Sequence, residues 1–182
     1  MKNIIPFAIG VIILGIIGWF LASPLETPGS LPQNESKGAA EFQILPALSL
    51  KDYNGNVISL SSLVGKPLVI NSWAAWCPFC RKELQDFAEL QKEFGEQVLI
   101  IAIDRAETLE IAKGFSDELG VSNDLLFLLD PSDSFYQTIG GFAMPETIFV
   151  ASDGSIQEHR RGPLSKDEIR QKIQNLIPEL ID

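Results

Sequence analysis

Cys77 and Cys80 are the only cysteines in this chain of 182 residues, and they stand three apart in Trp76-Cys77-Pro78-Phe79-Cys80. Two thiols at that spacing can close a small disulfide ring and reopen it. The pair follows the apolar run Leu68 to Trp73. It opens a stretch in which Leu84, Phe87, Ala88, Leu90 and Phe94 recur at helical spacing up to Gly95. A cysteine between a buried strand and a helix has a chemical use, because the unpaired N–H groups and the dipole at a helix N-terminus stabilise negative charge. Cys77 is therefore expected to be partly thiolate and to act as the nucleophile. Cys80, one turn further in, is expected to be more buried and to serve as the resolving thiol. Pro78 fits a first-turn position, where a missing N–H costs nothing.

Other uses of a cysteine pair fit less well. A zinc site needs further N or S ligands, and the one histidine, His159, lies on a late hairpin and reads as a solvated residue. Covalent haem attachment needs a histidine directly after Cys80, where Arg81 stands. A structural staple closing so short a loop gives little entropic stabilisation.

Around the pair, Ile44 to Leu50 and Val57 to Leu60 read as strands flanking the turn Asp52-Tyr53-Asn54-Gly55-Asn56. Val98 to Ile103 is a continuous apolar strand, and Ala106 to Leu119 a helix ending at Gly120. Leu125 to Leu129 is a strand, and Asp133 to Ile139 a short helix. Thr147 to Val150 and Ile156 to Arg161 form a hairpin about Asp153-Gly154, and Ser165 to Glu168 caps a last helix to about Leu176. This alternation predicts an α/β fold, a mixed sheet covered by helices on both faces.

Ile4 to Leu21 is an uncharged apolar run of 18 residues, which as a helix would span roughly 27 Å, close to the thickness of a bilayer's hydrocarbon core. Lys2 before it and Glu26 after it predict that the rest of the chain lies outside the membrane. A cleaved signal peptide would have a shorter apolar region and small residues before the cut, whereas Phe20 or Leu21 occupies that place. The expected organisation is an anchor over 1–22, a Pro- and Gly-containing linker over 23–40 and a folded domain over 41–182. Either reading of the N-terminus exports the domain to the periplasm or the outer face of the cell membrane. The net charge of −10 and the lack of a basic stripe argue against nucleic-acid binding.

The run Leu68 to Leu84, with Ala143-Met144-Pro145-Glu146-Thr147 downstream, resembles the thioredoxin superfamily. Within it, the chain is similar to the membrane-anchored, extracytoplasmic TlpA/ResA/CcmG-like thiol-disulfide oxidoreductases over about Ile44 to Ile177. The resemblance implies a thioredoxin fold with an N-terminal strand extension and an inserted αβ unit. It also implies reduction of disulfides outside the membrane, on protein partners such as apocytochrome c, with an upstream thiol-disulfide electron donor and no cofactor.

The resemblance further implies that Pro145 is cis and faces the cysteine pair, with the N–H and C=O of Met144 free to pair with an extended substrate segment. Read alone, Pro145 could equally start an edge strand. Trp76 matches the family's tryptophan before the site; Phe79, apolar between the cysteines, either widens a docking surface or is simply tolerated there. Glu83 falls on the helix face that carries Cys80 and Leu84, where a partly desolvated carboxyl has a raised pKa and can exchange protons with Cys80. A surface acid favoured by the helix dipole is the competing reading. Glu146 is the other candidate acid, matching the cytochrome-maturation branch; an edge-strand carboxylate without a role is its alternative. Ordinary thioredoxins carry a buried aspartate where Asn71 stands. An amide cannot shuttle protons, which turns attention to Glu83 and Glu146.

The residues leave two other functions open. One is the same exchange run backwards, a disulfide-forming oxidase, because direction depends on reduction potential against the compartment. The other is a non-catalytic thioredoxin-like binding module with the disulfide as a staple.

Overall fold

The computed structural model describes residues 44–177. The anchor and linker expected over 1–40 lie outside the described residues. Among the described residues no helix is long and apolar enough to cross a membrane.

Among the described residues seven strands form one mixed sheet, ordered β2-β1-β5-β4-β3-β6-β7. They are β1 (Ser49–Asp52), β2 (Val57–Ser59), β3 (Leu68–Trp73), β4 (Leu99–Arg105), β5 (Leu126–Asp130), β6 (Glu146–Val150) and β7 (Ile156–Arg161). β3 runs parallel to β4, and β4 to β5; the remaining neighbours are antiparallel. Every residue of β3 is buried, as expected of a central strand covered on both faces. The α-helices of the described residues flank the sheet: α1 (Cys80–Phe94), α2 (Leu109–Glu118), α3 (Ser134–Thr138) and α4 (Lys166–Leu176).

Alternation along the strands divides the core in two. Val69, Trp73, Ile100, Ala102 and Phe149 point to the face covered by α1, α2 and α4, and both cysteines belong to that cluster. Leu68, Ile70, Ile101, Ile103, Ile148 and Val150 point to the other face, covered by Leu60 and by Phe135 and Ile139 of the α3 segment.

The first expected strand is shorter than its hydrophobic pattern. Pro46 interrupts it, so Ile44 makes only an isolated bridge to Ser155 and pairing begins at Ser49. The second helix begins later than its pattern, at Leu109. Ala106 has φ 60°, a left-handed conformation that breaks the chain's path, and Thr108 then caps the helix by accepting from the Ile111 N–H. α1 likewise begins at Cys80, with Phe79 as the residue before it. Pro78 thus sits in the turn that leads to the helix rather than in its first turn.

Candidate active site

Cys77 and Cys80 are joined in a disulfide, their Cα atoms 5.4 Å apart. Both are buried, although Trp76, Pro78 and Phe79 around them are exposed, Trp76 by 62% and Phe79 by 57%. The Cys80 N–H, the first of α1, donates to Cys77 Sγ at 3.2 Å. The orphan donor of a helix N-terminus thus points at the first sulfur, the arrangement that stabilises a thiolate there once the bond is reduced.

Glu83 stands one turn along α1 and is buried. Its Oε1 accepts from the Leu164 N–H at 2.9 Å and its Oε2 from Asn71 Nδ2 at 2.9 Å. The same amide donates to Thr147 Oγ1 at 3.0 Å, so α1, β3, β6 and the entry to α4 meet at one carboxyl. Burial pushes the Glu83 carboxyl up to about 7, against the opposing pull of those two hydrogen bonds. It is therefore a group that can take or give a proton near neutral pH.

The Met144–Pro145 peptide bond is cis. Pro145 is buried, and Met144 packs against the apolar cluster that contains both cysteines. Glu146 opens β6 and is fully buried, in register with Ser72 of β3 and Arg161 of β7. Strand alternation puts it on the same face as Ile148, whereas Asn71, Thr147 and hence Glu83 lie on the opposite face. Burial raises the Glu146 carboxyl, but His159 and the N–H groups of Ala143 and Phe142 outweigh it and hold the group below the usual carboxylate range. His159, expected in solvent, instead lies with Nε2 2.6 Å from Glu146 Oε2. The two acids singled out in the sequence thus have opposite characters and lie on opposite sides of the sheet.

A third carboxyl near the cysteines has no sequence signal beyond an acid at the end of an apolar strand. Asp104, in register with Trp73, is fully buried and its Oδ2 has no hydrogen-bond partner. Burial pushes it up to about 8, reinforced by the carboxylate of Glu107 beside it, against the pull of the Glu107 N–H that donates to Oδ1. Glu107 Oε2 in turn accepts from the Ala75 N–H at 2.7 Å and so steadies the loop two residues before Cys77. Among the described residues, no three His, Cys, Asp or Glu side chains converge as a metal site would need.

The Redoxin family model matches residues 39–177. Thioredoxin-like protein YneN of Bacillus subtilis is 29% identical, covering 90% of this chain and 94% of that protein. Thiol:disulfide interchange protein DsbE of Allochromatium vinosum is also 29% identical, covering 97% and 92%. Among solved structures, MTB DsbF in its mixed oxidised and reduced forms superposes with a TM-score of 0.67 at 26% identity, covering 72% of this chain and 98% of that one. A dithiol that a helix N-terminus can activate, on a sheet of this topology and with these relatives, has one reading: the chain belongs to the Redoxin family and is a thiol-disulfide oxidoreductase of the thioredoxin superfamily.

Proposed function

We propose that the protein is a membrane-tethered, extracytoplasmic reductase of protein disulfides, apocytochrome c being the partner class that the family resemblance implies. The observation that carries the direction of attack is the Cys80 N–H aimed at Cys77 Sγ. In the reduced protein, the Cys77 thiolate attacks one sulfur of the partner's disulfide. An S–S bond forms between Cys77 and the partner, the partner's own S–S bond breaks, and its departing sulfur takes a proton. Cys80 then loses its proton to Glu83 and attacks Cys77 Sγ. This closes the Cys77–Cys80 disulfide and releases the partner's second thiolate, which is protonated in turn. Two electrons pass to the partner; the Cys80 proton, held by Glu83, serves one of its thiols and solvent supplies the other, and an upstream dithiol donor restores the reduced pair.

Glu83 is the proton carrier in this reading because it is buried beside the pair and titrates near neutrality. Trp76, Pro78 and Phe79 form the exposed rim on which a partner docks. Among the described residues, neither the N–H nor the C=O of Met144 makes a hydrogen bond, which leaves both for an extended partner segment. The apolar run over Ile4 to Leu21 supplies the tether.

The test is Cys80→Ser, which should accumulate a covalent complex with the partner through Cys77, visible on a non-reducing gel and dissolved by reductant. Turnover equal to the wild type would overturn the mechanism. The equilibrium potential of the pair tests the direction. A value more negative than about −220 mV supports a reductase, and one near about −120 mV an oxidase.

A further inference from the structure

The chain from Gly140 to Met144 carries no regular secondary structure beyond its first turn, yet it is held at nearly every step. The Gly141 N–H donates to the Tyr136 C=O at 2.8 Å. A Cβ at Gly141 would lie 2.5 Å from the Tyr136 ring, so only glycine permits this approach. The Tyr136 hydroxyl donates to the Ala143 C=O at 2.8 Å, and its ring is covered by the Arg105 guanidinium, 3.6 Å from the centroid. The N–H groups of Phe142 and Ala143 both donate to Glu146 Oε1 at 2.5 Å.

Glu146 can receive both amides only while its own side chain is fixed. His159 does that from β7, where it is the register partner of Ile148 and so the diagonal neighbour of Glu146. His159 is 18% exposed and Glu146 is not exposed at all, so little water competes for the bond. Arg161, two residues on along the same face of β7, has its Nε 3.9 Å from Glu146 Oε1. What this network leaves free is the Phe142 ring, 87% exposed, and the N–H and C=O of Met144.

We infer that His159, acting through Glu146, is a positioning residue for substrate: it holds Phe142–Met144 in the shape that receives the segment of a partner protein bearing the reactive disulfide. Glu146 is in this arrangement an anchor for the loop and not a proton carrier. A preset loop spares the partner the ordering cost of forming the pairing surface, so the contribution falls on capture of an extended segment and not on the sulfur chemistry. The inference rests on the reading of the protein as one that acts on protein disulfides.

The experiment is single-turnover oxidation of the pre-reduced full chain by a disulfide-bridged peptide and by cystamine, a disulfide too small to span the loop. Removing a hydrogen bond to a buried charge in His159→Ala should raise the half-saturating peptide concentration about tenfold. The limiting rate and the cystamine rate should stay within about twofold of wild type, and His159→Gln, which can still donate to Glu146, should recover most of the loss. Amide hydrogen exchange at Phe142 and Ala143 should accelerate in His159→Ala while the β3 amides keep their protection. Should that variant not fold, His159→Asn, too short to reach Glu146, carries the same readouts.

An unchanged half-saturation, a cystamine rate that falls in parallel, or unchanged exchange at Phe142 and Ala143 overturns the inference. If the wild-type dithiol fails to reduce the peptide, the proposed reductase direction falls. The inference is then decided by the same comparison with oxidised protein and reduced peptide, together with the exchange data.

Discussion

At the scale of single residues, Glu83 carries the strongest consequence. Its carboxyl titrates near about 7 in the fold and near 4.5 when the chain is unfolded. Between those values the folded chain keeps a proton that the unfolded chain has released. The stabilisation associated with this group is fully present below about 4.5 and is lost as pH rises through about 7, a change of roughly 3 kcal/mol. Glu83→Gln should therefore flatten the fall in unfolding free energy over that window, leaving only the slope of the same sign from Asp104, as read by denaturant titrations at successive pH values. In the reduced protein, the same substitution should remove the inflection near pH 7 from the rate of cysteine alkylation; an unchanged profile would take Glu83 out of the proton path. Helical spacing is enough to put Glu83 beside Cys80. Its partners are not readable in the sequence, because Asn71 is 12 residues away and Leu164 is 81, brought together only by the assembled sheet and α4. His159 reads as solvated for the same reason: the hairpin is legible, but the burial of its face depends on the long-range pairing of β6 with β3.

At the scale of elements, the site is tied to α4 through one turn. Leu164 donates to Glu83, and the next residue, Ser165, is the N-cap of α4 in a reciprocal capping box with Glu168. Ser165→Ala should cost about 1 kcal/mol of stability, measured as a lower denaturant midpoint with an unchanged slope. This box is legible in Ser165-Lys166-Asp167-Glu168, since it is local. Helix starts without such a signal are harder to place. α1 begins at Cys80, past the first-turn place expected for Pro78, and α2 at Leu109, past the Ala106 that its pattern suggests. The strand order, with β1 and β2 at one edge beyond β5, has no counterpart in any local pattern and emerges only with the fold.

At the scale of the whole molecule, the sheet is one layer thick and the two carboxyls occupy its two sides. Glu83 answers to Asn71 and Leu164, and Glu146 to His159, Arg161 and the Phe142–Ala143 amides; among the described residues they share no hydrogen-bond partner. Stability losses from Glu83→Gln and His159→Ala should therefore sum in the double variant to within about 0.5 kcal/mol, as measured by denaturant unfolding of all four proteins. A larger departure would mean that the strands between them transmit strain. That separation also bears on how such a protein diversifies. Residues that set the Phe142–Met144 loop through Glu146 can drift on one side of the sheet while the Glu83 carboxyl on the other stays in place, so a lineage can retune its grip on clients without re-inventing its reaction.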